Sequence, residues 1–185
     1  MKKIAVIFPG MGYGKDKPLL YFAAKLAKEL GYEIRYTNYD EMPPMEGTDI
    51  EAKTRWTEAA YLMAAEQLTD IDWEGKDVVF IAKSVGTIVA SKYAVDHNLQ
   101  PVMILLTPLD ETFAFLTGGR NIIFTGDKDP MIDISLHGEE LESKVEEYFR
   151  YEGANHSLEC GDVDRNLEIL RDIVAQIRRA LTEHM

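Results

Sequence analysis

Three short stretches of this 185-residue chain carry side chains that could act together on a carbonyl group. The first is Ala82-Lys83-Ser84-Val85-Gly86, set between the apolar run Val78–Ala82 and the helical pattern Thr87–Val95. A tight strand-to-helix turn strains the serine backbone and turns its hydroxyl outwards. The residues two before and two after it must be small, as Ala82 and Gly86 are. The helix that follows aims backbone N–H groups, notably that of Val85, at negative charge forming beside Ser84. The bland alternative is a serine that only caps a helix. The second stretch, Thr125-Gly126-Asp127-Lys128-Asp129-Pro130, is an acidic turn after a short apolar run, which turn chemistry alone would explain. The third, Gly153-Ala154-Asn155-His156-Ser157, puts a histidine in a small, flexible loop. His97 ends a helical pattern, His137 lies in an acidic stretch and His184 is at the C-terminus, so His156 has the placement best suited to chemistry.

Such residues meet only if the elements before them end side by side. Ile4–Phe8, Val78–Ala82, Val102–Leu106 and Ile122–Thr125 are short apolar runs, the pattern of strands buried on both faces. Tyr32–Tyr39 and Glu147–Glu152 are aromatic-rich strands. Helical spacing marks Pro18–Leu30, with Pro18 suited to the first turn and Gly31 to the stop, and also Ile50–Leu68 and Asn166–Leu181. Asp40–Asp49, with Pro43-Pro44 and Gly47, reads as a loop, and Asp133–Val145 as either helix or loop. Strands alternating with helices predict an α/β fold: one domain over residues 1–185, a three-layer sandwich with a mostly parallel six-stranded sheet and helices on both faces. No repeat, low-complexity tract or linker divides the chain. In such a sheet ligands lie beyond the strand C-terminal ends, where the winding reverses. Ser84, Asp129 and His156 each follow a strand, in that chain order.

The elbow Ala82–Gly86, the turn Gly126–Asp129 and the loop Gly153–Ser157 resemble the α/β-hydrolase superfamily, in particular its small serine hydrolases of the dienelactone-hydrolase-like kind. The resemblance spans nearly the whole chain. It implies a minimal α/β-hydrolase fold with Ser84 as nucleophile and His156 as base. It selects Asp129 over Asp127 as the acid, and it places an oxyanion loop at Phe8-Pro9-Gly10-Met11-Gly12, where the Met11 N–H would join that of Val85. Pro9 stands where many relatives have histidine, and Ala82 where the elbow commonly has glycine. Between Pro108 and Arg120, where many relatives insert a helical lid, the span is too short for one. The expected activity is cleavage of a small ester, thioester or amide through an acyl-enzyme. Acyl transfer with the same residues, or a non-catalytic binding module on the same fold, are the alternatives. Gly10, Tyr13, Lys83 and Phe113 are candidate substrate contacts, with Met11 and Phe115 as further pocket walls. For the phenylalanines the competing role is core packing, and for Lys83 a solvated loop position.

Other chemistries fit less well. Gly10–Asp16 could cradle phosphate, with Asp40 as a ribose-binding acid, but the glycine fingerprint is incomplete. Cys160 lies four residues after His156 and lacks an elbow. No Cys/His cluster suggests a metal, and no cofactor is expected. With 20 Lys and Arg against 32 Asp and Glu, the net charge of -12 disfavours nucleic acid and anionic membranes as partners. A small-molecule acyl substrate is the expected partner. A single cysteine, and an N-terminal apolar run closed after five residues by Pro9-Gly10, suit a cytoplasmic protein.

Overall fold

The computed structural model describes residues 2–39, 41–42, 46 and 50–183. Along the chain it comprises β1 (Lys2–Phe8), α1 (Pro18–Glu29), β2 (Glu33–Tyr36), α2 (Ile50–Gln67), β3 (Lys76–Lys83), α3 (Val85–Asp96) and β4 (Val102–Leu106). β5 (Asn121–Gly126), α4 (Gly138–Lys144), β6 (Glu147–Tyr151) and α5 (Val163–Thr182) follow. The six strands form one sheet in the order β2-β1-β3-β4-β5-β6, and every pairing is parallel, so the sheet is wholly rather than mostly parallel. The winding reverses between β1 and β3, which places the β1 and β3 ends beside one another.

Alternation along each strand builds two cores, since successive side chains leave opposite faces. Ala5, Ile7, Val79, Ile81, Ile104 and Phe124 face α1 and α5. Val6, Phe8, Phe80, Ala82, Leu105 and Ile123 face α2 and α3. α1 packs on α5 and α2 on α3, one pair per face. Pro18 opens α1, and Gly31 follows it at φ +87°, a conformation glycine adopts without strain. α3 is buried nearly all round because the 3-10 turn Asp110–Phe115 covers it as well as the sheet and α2.

Several boundaries differ from the sequence reading. β2 stops at Tyr36, although the Thr37 N–H still donates to the Ile7 carbonyl (3.0 Å), because its only partner β1 ends at Phe8. α5 begins earlier, at Val163, because the Asp162 side chain accepts from the Arg165 N–H (2.7 Å) and caps the helix. The 133–145 stretch is a 3-10 turn, Ile134–His137, followed by α4. Between β4 and β5 only the 3-10 turn intervenes, and no lid is present among the described residues. Asp40, Pro43, Pro44, Gly47 and His184 lie outside the described residues.

Candidate active site

Ser84 sits at the junction of β3 and α3 with φ 55° and ψ -127°, a strained conformation for a residue with a side chain. The surroundings over-determine it. Its N–H donates to the Leu106 carbonyl (3.0 Å), and its carbonyl accepts from the Thr87 N–H (2.8 Å) and Thr87 Oγ1 (2.6 Å). Thr87 Oγ1 pairs in turn with Thr112 Oγ1 at 2.7 Å. Gly86 lies so close under the end of β1 that a Cβ there would stand 2.4 Å from the carbonyl oxygens of Phe8 and Pro9. Gly10 approaches from above: a Cβ on it would lie 3.0 Å from Ser84 Cβ.

The histidine loop follows β6 and crosses the end of β5. A Cβ on Gly126 would stand 2.0 Å from the Ala154 carbonyl oxygen, so only glycine permits this crossing. The Lys128 N–H donates to that carbonyl (2.9 Å), and the Asp127 carboxylate accepts from the Gly153 N–H (2.7 Å). Asp127 therefore ties the loop down. Asp129 faces the imidazole: His156 Nδ1 lies 2.8 Å from Oδ2 and 2.9 Å from Oδ1. The Asp129 side chain is fully buried and its Oδ1 also accepts from the Met131 N–H (2.9 Å). On the other side of the ring, His156 Nε2 stands 2.8 Å from Ser84 Oγ. A carboxylate only accepts, so Nδ1 carries a proton, and in the neutral imidazole that leaves the Nε2 lone pair facing the serine hydroxyl.

Among the described residues neither the Met11 nor the Val85 backbone N–H donates to a protein acceptor, so both are free for an external oxygen. The glycine-rich loop is closed on itself by reciprocal bonds between Gly10 and Tyr13 (3.0 and 3.2 Å), and α1 starts only at Pro18. It lacks the helix N-terminus that a phosphate cradle needs at that place. The Tyr13 hydroxyl accepts from the Leu19 N–H (3.2 Å), and burial pushes it up to about 12.

Two of the candidate substrate contacts stand elsewhere. Phe113 is 2% exposed and stacks on the His137 ring (centroids 3.9 Å apart), whose Nε2 pairs with Asp110 Oδ1 at 2.8 Å; it packs the core instead of walling a pocket. Lys83 is not a solvated loop residue. It is 1% exposed, and its Nζ donates to the main-chain carbonyl of His156. Cys160 makes no pair with His156, both of whose ring nitrogens are engaged; its N–H donates to Asn166 Oδ1 (2.6 Å). No group of three or more potential metal ligands occurs among the described residues.

A cleft of about 670 Å³ opens beside the β1 loop, with Pro9, Gly10 and Met11 on one side and Tyr36, Tyr39 and Trp56 on the other. The aromatic wall was missed in the sequence, where its residues read as strand and helix core. The signal was there: Tyr36 ends the strand next to β1 and Tyr39 lies just beyond it, and strand ends bordering the reversal point are where ligands bind.

No protein-family profile matches the sequence, and no curated protein does. Solved structures resemble it over nearly its full length. Est1E from Butyrivibrio proteoclasticus, with ferulic acid bound, superposes with a TM-score of 0.68 at 11% identity, covering 99% of this chain and 89% of that one. A putative α/β hydrolase from Agrobacterium tumefaciens gives 0.66 at 15%, covering 99% and 87%. An α/β serine hydrolase homologue from Coxiella burnetii gives 0.59 at 20%, covering 95% and 84%. At these identities the likeness is one of fold.

Proposed function

We propose that this chain, which has the α/β-hydrolase fold, is a serine hydrolase that cleaves a small ester, thioester or amide through an acyl-enzyme intermediate. The observation that carries the reading is the hydrogen-bonded chain from Ser84 Oγ to His156 Nε2 and from His156 Nδ1 to Asp129. Ser84 attacks the acyl carbon as His156 Nε2 takes its proton. Asp129 keeps its charge, holds the tautomer and stabilises the imidazolium. The tetrahedral oxyanion lies against the Met11 and Val85 amides, where losing one donor typically costs about 10²–10³ in rate. His156 then protonates the leaving group, and the same nitrogen deprotonates the water that releases the acyl group.

The cleft beside Gly10 takes the larger, apolar part of the substrate, its aromatic wall supplying contact area at low entropic cost. A negatively charged surface supports a small-molecule partner over a polyanion. Among the described residues no helix is long and apolar enough to cross a membrane, and a lone cysteine is in keeping with a reducing, cytoplasmic setting.

A fluorophosphonate probe tests the proposal. Covalent labelling of the native protein that disappears in Ser84→Ala, together with turnover of p-nitrophenyl esters of graded chain length, is the expected result. Folded protein that resists labelling would instead be a binding module. An acylated alcohol replacing the free acid, when alcohol is added, would make the protein an acyltransferase.

A further inference from the structure

Lys83 is a buried titratable group that the chemistry above leaves unused. It is the last residue of β3, and its Nζ donates to the main-chain carbonyl oxygen of His156, 73 residues later, at 2.7 Å. The Tyr13 ring covers the Nζ at 4.9 Å, closing it from water on the β1 side. The groups facing it are thus Tyr13 from the β1 loop, His156 from the loop after β6, and the Asp129 carboxylate beyond β5. Burial pulls the amine down to about 7, with Asp129 drawing it back up. An apolar side chain would fill this place without that desolvation penalty. What the lysine contributes is a bond to the peptide that carries the base. The other contacts of the loop are made by its neighbours: Asn155 Oδ1 accepts from the Ser157 N–H (2.7 Å), and the Ala154 carbonyl accepts from the Lys128 N–H.

We propose that Lys83 is a positioning residue: by holding the His156 carbonyl it fixes the imidazole between Ser84 and Asp129. The inference rests on the hydrolase reading, and Lys83 touches neither substrate nor reacting atoms. With the carbonyl held at one end and Nδ1 held by Asp129 at the other, swinging the ring away from the serine would break a hydrogen bond. Amine and ammonium both donate, so the contact survives titration of the group. This arrangement explains a lysine in the elbow itself, where a solvated side chain would serve no purpose.

The test is Lys83→Met, which keeps the stem and removes the donor. In the wild type the His156 Nδ1–H should give a low-field proton resonance, assigned by its absence from His156→Gln. In Lys83→Met that resonance should broaden or vanish, and fluorophosphonate labelling of Ser84 should slow by about 10- to 100-fold, the cost of a small misplacement. The probe's saturation constant should not change. Lys83→Arg, which keeps a charged donor, should recover part of both signals. A folded Lys83→Met with a sharp resonance and a labelling rate within about twofold of wild type would overturn the proposal. If Lys83→Met does not fold, the wild type labelled with [15N]lysine decides: an Nζ group protected from solvent exchange is expected, and an Nζ that exchanges as fast as those of the exposed lysines would refute the contact. The low-field resonance belongs to the resting protein. A wild type that shows it but takes no probe refutes the hydrolase reading while leaving the Lys83 contact in place.

Discussion

Asp127 and Asp129 stand on one turn, yet their carboxylates meet different partners, the Gly153 N–H for the first and the His156 ring for the second. Asp129→Asn should therefore lower kcat by about 10⁴, the loss expected when the wrong imidazole tautomer is fixed. Asp127→Asn should leave the rate of probe labelling largely intact and lower the melting temperature. The reverse pattern in steady-state rates and thermal melts would show the acid to be misassigned. At this scale the positions of Ser84, Asp129 and His156 were legible, because each follows a strand pattern in a turn or loop whose residue types suit chemistry. Lys83 was not. Its neighbours in sequence say only that it ends a strand, and its burial depends on Tyr13 and on a loop 73 residues away. For Phe113 the sequence leaves two roles, pocket wall and core packing, and His137 from the next connection, which stacks on it, decides for packing.

Two backbone crossings hold the elements at the distances the site requires, and each rests on a glycine. Gly86 lets α3 start directly beneath the end of β1, and Gly126 lets the loop after β6 pass over the end of β5. Adding one methyl at the second crossing must push the histidine loop away, since the new atom would lie 2.0 Å from a carbonyl oxygen that cannot rotate aside. Gly126→Ala should destabilise the fold by about 3 kcal/mol or more, at the upper end of overpacking costs. It should also abolish probe labelling in whatever fraction remains folded. A denaturant midpoint equal to the wild type would contradict the crossing. The order and type of the elements were readable from apolar runs and helical spacing, and their ends were less so. β2 is cut short by the length of its neighbour, and α5 is lengthened by the Asp162 cap. The length of β1 is not visible in a window centred on β2, whereas the Asp162 cap is a local signal lying four residues before the expected start at Asn166.

For the molecule as a whole, burial of titratable groups makes stability depend on pH. The Lys83 amine, at about 7 in the folded protein, binds a proton up to about pH 10 once the chain unfolds. Between those limits the unfolded state carries more protons, so stability rises with pH. Tyr13 and Tyr61, raised to about 12, and Tyr32, Tyr39 and Tyr151, raised further, act in the opposite sense. Each keeps its proton in the fold after the unfolded chain would release it, so stability falls above about pH 10. Urea unfolding at pH 7, 9 and 11 should show a maximum near 9, with a gain of about 2 kcal/mol from pH 7 that Lys83→Met lacks. A wild-type curve flat from 7 to 9 would show the amine to be charged in the fold. The strand order carries one more consequence. The serine lies near the middle of the chain, whereas the histidine arrives only with β6, at the sheet's far edge. On the proposed hydrolase reading, a nascent polypeptide thus carries a disarmed hydroxyl while its first strands pair, and the base joins it only when β6 docks.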